Sequence, residues 1–130
     1  MKTWNLVLVM GVAMLASSCG YSSKSYTQPV NGTLPTISQL SPSSTTHGDA
    51  AFTLTVSGTN YNSNAVVNFG NTALTTTYVS TGQLTASVPA SSIASAGTIE
   101  VTVTNPGTSG GQYGGGTLSE TSTAMAFTIN

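Results

Sequence analysis

From residue 36 onward, apolar side chains recur at every second position in short runs separated by Gly, Pro, Asn and Ser clusters. "AFTLTVSG" (51–58) sets Phe52, Leu54 and Val56 on one face and Thr53, Thr55 and Ser57 on the other, which predicts a strand with one dry and one wet side. The same period marks "TISQL" (36–40), "AVVNFG" (65–70), "ALTTTYV" (73–79), "QLTASV" (83–88), "TIEVTVT" (98–104) and "AMAFTIN" (124–130). Past the N-terminal apolar run no stretch supports an amphipathic helix, and at most "ASSIASAG" (90–97) makes a single turn with Ile93 directed inward. Seven short antiparallel strands, closely spaced by turn signals, predict an all-β fold, a two-layer sandwich of immunoglobulin type. The expected core is Leu54, Val56, Val67, Phe69, Leu84, Val88, Ile99, Val101, Val103, Phe127 and Ile129, with Phe52 and Tyr78 near its ends.

The first residues follow another pattern. Lys2, the unbroken apolar run Leu6 to Leu15 and the small residues of "ASSC" have the three-part layout of a secretory signal. A helix rising 1.5 Å per residue needs about 20 residues to cross a ~30 Å hydrocarbon layer, so this run is too short for a permanent span. The chain is therefore expected to be exported. Residues 1–18 read as the signal, 19–34 as a flexible Ser/Gly/Pro linker with an unperturbed reach of roughly 20–25 Å, and 35–130 as the folded domain.

The only cysteine, Cys19, stands where the apolar run gives way to the polar segment. "LASSCG" resembles a bacterial lipobox, although Ala16 occupies the place where that motif usually has Leu, and Leu15 lies one position earlier. The resemblance implies a diacylglyceryl thioether on Cys19, cleavage before it, and a membrane tether. Gly20 stands where an Asp would signal inner-membrane retention in some bacteria, so the implied location is the outer membrane or the cell surface. The alternatives are ordinary cleavage after Ser18, giving a secreted protein with a free thiol, and an incidental cysteine in a discarded peptide. One cysteine permits no disulfide within the chain, so the fold must rest on packing.

Composition narrows the partners. Charged residues make up 4% of the chain, with two lysines, no arginine and three acids, which leaves no basic face for nucleic acid and no acidic tail. Ser and Thr together number 42 of 130 residues, so hydroxyls rather than charges keep the surface wet.

"PTISQLSPSS", "VSGTNYNSNAVVNFGNTAL", "QLTASVPAS" and "GTIEVTVTNPG" resemble the IPT/TIG family of immunoglobulin-like domains over residues 35–130. The carrying positions are Pro35, Ile37, Ser41 and Pro42, then Ser57, Gly58 and Tyr61. The resemblance implies an E-set type sandwich in which Gly58 allows positive φ or close backbone approach and Tyr61 plugs one end. Pro89 would end a strand, and Asn105-Pro106-Gly107 would turn the chain. Relatives include DNA-binding domains, receptor ectodomains and bacterial surface or polysaccharide-associated proteins. Without arginine the usual phosphate contacts do not transfer. Two departures are "SSTTHGD" (43–49) and the enlarged loop "PGTSGGQYGGGTLSETST" (106–123).

Candidate chemistry is sparse. His47, the only histidine, could serve as a base oriented by Asp49, but a triad also needs a placed nucleophile and no Gly-x-Ser-x-Gly elbow occurs. One imidazole and three scattered carboxylates do not make a dedicated zinc or calcium site, and no cofactor motif is present. In the Gly-rich loop Tyr113 is a large amphipathic side chain at a position where sandwiches carry binding loops, and Tyr113 or Tyr61 could stack on a sugar ring. The expectation is a non-enzymatic, lipid-anchored envelope module that binds carbohydrate or another envelope protein. The alternative is a passive spacer or a self-assembling surface subunit.

Overall fold

In the computed structural model, residues 27–130 are described. They form twelve strands: β1 (Thr36–Ser41), β2 (Ser44–Thr45), β3 (Phe52–Thr59), β4 (Val66–Phe69), β5 (Thr72–Ala73), β6 (Thr75–Ser80), β7 (Gln83–Val88), β8 (Gly97–Asn105), β9 (Thr108–Gly111), β10 (Gly114–Thr117), β11 (Glu120–Thr121) and β12 (Met125–Ile129). One sheet has the order β1-β3-β7-β6 and the facing sheet β2-β12-β8-β4-β5, with β11 pairing β8. All pairings within the sheets are antiparallel except β12 with β2, which is parallel.

The alternating positions become the interior. Leu40, Leu54, Val56, Leu84, Ala86 and Val88 of the first sheet face Val67, Phe69, Val101, Val103, Phe127 and Ile129 of the second. Phe127 stacks on Phe52 with ring centroids 5.8 Å apart and meets Phe69 edge-on at 5.3 Å, geometries that aromatic rings prefer. A single 3-10 turn at Ala90–Ile93 drops Ile93 into one end of the interior, as its sequence suggested. Tyr61 closes the opposite end at 1% exposure.

Three expectations are corrected. Ile99 is half-buried at the margin of the core, and Tyr78 is 37% exposed on the outer strand β6. "ALTTTYV" is not one strand. Buried Leu74 separates β5, which pairs with β4, from β6, which pairs with β7 in the other sheet, so the chain changes layers there. The crossing is fastened by polar groups. Leu74 N–H donates to the Val67 carbonyl (2.8 Å), while Thr76 Oγ1 accepts from Val67 N–H (2.9 Å) and donates to the Leu74 carbonyl (3.0 Å).

The enlarged loop after β8 is also more regular than its glycines suggest. β9 and β10 form a separate two-stranded hairpin, and β11 then rejoins β8. Ser122 follows with its side chain inside: its Oγ accepts from Val103 N–H (3.0 Å) and donates to the Thr123 carbonyl (2.9 Å).

Candidate functional site at the Asn105 end

β3 leaves the first sheet through Gly58, Thr59 and Asn60. A Cβ at Gly58 would collide with the Thr36 carbonyl oxygen and the Tyr61 hydroxyl, so this glycine serves close approach and not positive φ. Positive φ falls instead on Asn60 (63°), a residue type that tolerates it. That turn sends Tyr61 back under the sandwich. Its hydroxyl has no hydrogen-bond partner among the described residues, and burial raises its pKa to about 12.

Asn105, the last residue of β8, organises this end. It is 1% exposed; its Oδ1 accepts from Asn62 N–H (3.0 Å), and its Nδ2 donates to the carbonyls of Thr33 and Asn60, each at 2.7 Å. One amide thereby joins the end of β8, the β3–β4 loop and the segment preceding β1. Nearby, Asn60 Nδ2 donates to the Leu34 carbonyl (3.3 Å), and Pro35 is fully buried.

The segment 27–34, which the sequence placed in the linker, runs against the hairpin. Thr27 and Val30 make parallel bridges to Gly114 and Thr117. Thr27 N–H donates to Tyr113 O (2.9 Å), Gly115 N–H to Thr27 O (2.6 Å), Val30 N–H to Gly116 O (3.1 Å) and Leu118 N–H to Val30 O (2.8 Å). Gly114, at φ +92°, lies so close to the Thr27 carbonyl that a side chain would have no room. The hairpin thus becomes three-stranded. Four large apolar residues on it and the adjoining segment remain exposed: Val30, Leu34, Tyr113 and Leu118.

The two tyrosines singled out from the sequence therefore separate. Tyr113, 54% exposed, stands in the turn between β9 and β10. Tyr61 offers no face to a sugar, because its ring is consumed by core packing. A cleft of about 380 Å³ beside it is bounded by small uncharged groups, among them Thr33, Asn60, Asn62 and Thr81. Cys19 lies outside the described residues.

His47 and Asp49 sit at the opposite end and do not bond to each other in the described structure. His47 Nδ1 is 2.7 Å from Asn130 O, which also accepts from His47 N–H (2.9 Å). Asp49 Oδ2 accepts from Thr45 Oγ1 and Thr46 N–H, both at 3.0 Å, closing the turn. Among the described residues no three His, Cys, Asp or Glu side chains gather in a metal-binding group.

Sequence reasoning missed Asn105, Thr76 and Ser122. The only trace of the first is its place in Asn-Pro-Gly, which signals a turn and conceals a buried amide.

Two facing antiparallel sheets, closed by a last strand that pairs with β8 on one side and in parallel with β2 on the other, define an immunoglobulin-like sandwich. Residues 35–120 match the model of the IPT/TIG domain, and the chain belongs to that family. No curated protein matches the chain in sequence. β12 lies beyond the matched residues, yet Phe127 and Ile129 are core residues, so the folded unit extends at least to Ile129.

Proposed function

We propose that this chain is a non-enzymatic, lipid-anchored module of the bacterial cell envelope that acts by contact with carbohydrate or with another envelope protein. The observation that carries the tether is the position of Cys19, just past the apolar run and its small residues "ASS", and eight residues before Thr27, the first described residue, which is bonded to the hairpin. Contact, not catalysis, is supported by the fold family and by the use of His47 and Asp49 as fasteners of a turn. A hydroxyl-rich surface with few charges suits shape- and hydrogen-bond-based recognition, not electrostatic steering. The tether is tested by labelled-palmitate incorporation into the full chain and its Cys19→Ser variant, with globomycin as the processing block. Label in the parent alone, with precursor accumulating under globomycin, is expected. Equal label in both, or none in the parent, refutes the lipid anchor.

A second reading, self-assembly, is favoured by β6. This six-residue strand, "TTTYVS", is an outer strand of its sheet and carries neither a charge nor a proline to discourage edge pairing. Light scattering after gel filtration decides it: a monomer at all concentrations removes this reading.

A further inference from the structure

The chain's route into the domain sets one end of the sandwich apart. Thr27 N–H is bonded to the Tyr113 carbonyl, so the residue beside which the N-terminal segment joins the fold is the exposed aromatic of the hairpin turn. Val30 and Leu118 follow along the same two strands, with Leu34 just beyond. Among the described residues this end has almost no charge: neither 27–35 nor 105–119 contains Asp, Glu, Lys or Arg. Its one carboxylate, Glu120, is half-buried with its aliphatic stem against Gly32.

Eight residues from Cys19 to Thr27 extend at most about 28 Å and average roughly 16 Å as a coil. A lipid on Cys19 would hold the Tyr113 turn within that distance of the bilayer surface at all times. Such a short connection raises the effective concentration of the surface to the millimolar range, so even a weak contact is populated. The side chains suit that contact. A tyrosine with one apolar body and one polar tip partitions to the headgroup boundary, and Val and Leu add apolar area without a charge to desolvate.

We infer that the β9–β10 hairpin, with Tyr113 at its turn and Val30, Leu34 and Leu118 beside it, is a membrane-contacting foot that seats the domain on the phospholipid surface to which the chain is tethered. The inference rests on the lipid-anchor reading and adds an orientation. The Asn105 end faces the bilayer and the His47 end faces away.

The test supplies its own tether. The fragment 19–130 retains every core residue, contains a single thiol and lacks the chain's only tryptophan, Trp4. It is coupled through Cys19 to a maleimide-bearing lipid in phosphatidylcholine vesicles, as Tyr113→Trp or as Ser91→Trp, the latter at the exposed opposite end. Brominated acyl chains should reduce Tyr113→Trp emission by about twofold and leave Ser91→Trp unchanged. Equal emission with and without bromine, after coupling is verified by mass and folding by a melt matching the parent, overturns the inference. Quenching of both tryptophans alike overturns the orientation. A change in Tyr113→Trp emission that follows protein density and not bromine assigns the patch to a second copy and also overturns it. Because the coupling is chemical, failure of natural acylation at Cys19 leaves these outcomes unaffected and is detected separately by the palmitate experiment.

Discussion

Replacing Tyr61 with Phe should stabilise the protein, although it removes a polar group from a well-packed site. The ring closes the Asn105 end at 1% exposure, while the hydroxyl is buried against Gly58 with no partner. An unsatisfied buried hydroxyl costs about 1–3 kcal/mol, and the benzyl ring that fills the space is common to both residues. Tyr61→Phe is therefore expected to gain about 1–2 kcal/mol at pH 7, or roughly 4–15 °C in Tm for a domain of this size.

A pH series supplies an independent reading of the same atom. Burial raises the Tyr61 pKa from 10.0 to about 12, so above pH 10 the unfolded chain loses this proton while the folded chain keeps it. Stability then falls as pH rises, fully present below 10 and lost progressively through about 12, by roughly 2–3 kcal/mol in total for a two-unit shift. Urea titrations at steps from pH 8 to 12 should show that limb in the parent and a shallower one in Tyr61→Phe. A variant less stable by about 1 kcal/mol or more at pH 7 would mean that the hydroxyl is hydrogen-bonded in solution, an identical alkaline limb would mean that it is solvated and titrates normally, and either result refutes the reasoning.

Other expectations follow from named contacts. Asn105→Ala removes three hydrogen bonds and leaves Thr33 O, Asn60 O and Asn62 N–H without their partner, so urea unfolding should show a loss of about 2–4 kcal/mol. A fragment ending at residue 120, the limit of the family match, lacks Phe127 and Ile129 and should show no cooperative melt; Phe127→Ala in the full chain should lose about 3–5 kcal/mol. Gly114→Ala places a side chain at φ +92° against the Thr27 carbonyl. Hydrogen exchange should speed at Thr27, Val30, Gly115 and Leu118, while the global unfolding free energy changes by less than about 1 kcal/mol, because these bonds lie outside the core.

The sandwich was readable in sequence because β3, β7, β8 and β12 each have one dry face, and a two-residue period registers that directly. The run "QLTASV" coincides with β7, and "AFTLTVSG" is displaced from β3 by one residue. The change of layer at Leu74 left no such mark, since a buried leucine looks alike whether the chain continues in one sheet or enters the next. The short strands β2, β5 and β11 contain two residues each, too few to display any period. In β9 and β10 glycine replaces the alternating side chains, so pairing made by backbone alone was invisible to side-chain pattern. The candidate site divides in the same way. Tyr113 was visible as a bulky residue among glycines, whereas Asn105 acts through three partners brought together by the completed fold.

The opposed placement of Thr27 and Asn130 has a mechanical consequence. A pull applied between these residues enters the core through β12, which Asn130 directly follows and which is bonded to β8 on one side and β2 on the other. Its ladder bonds would then share the load at once and not open singly from one end. A handle fixed at Asn130 in a single-molecule stretching experiment would meet the sandwich in its more resistant direction.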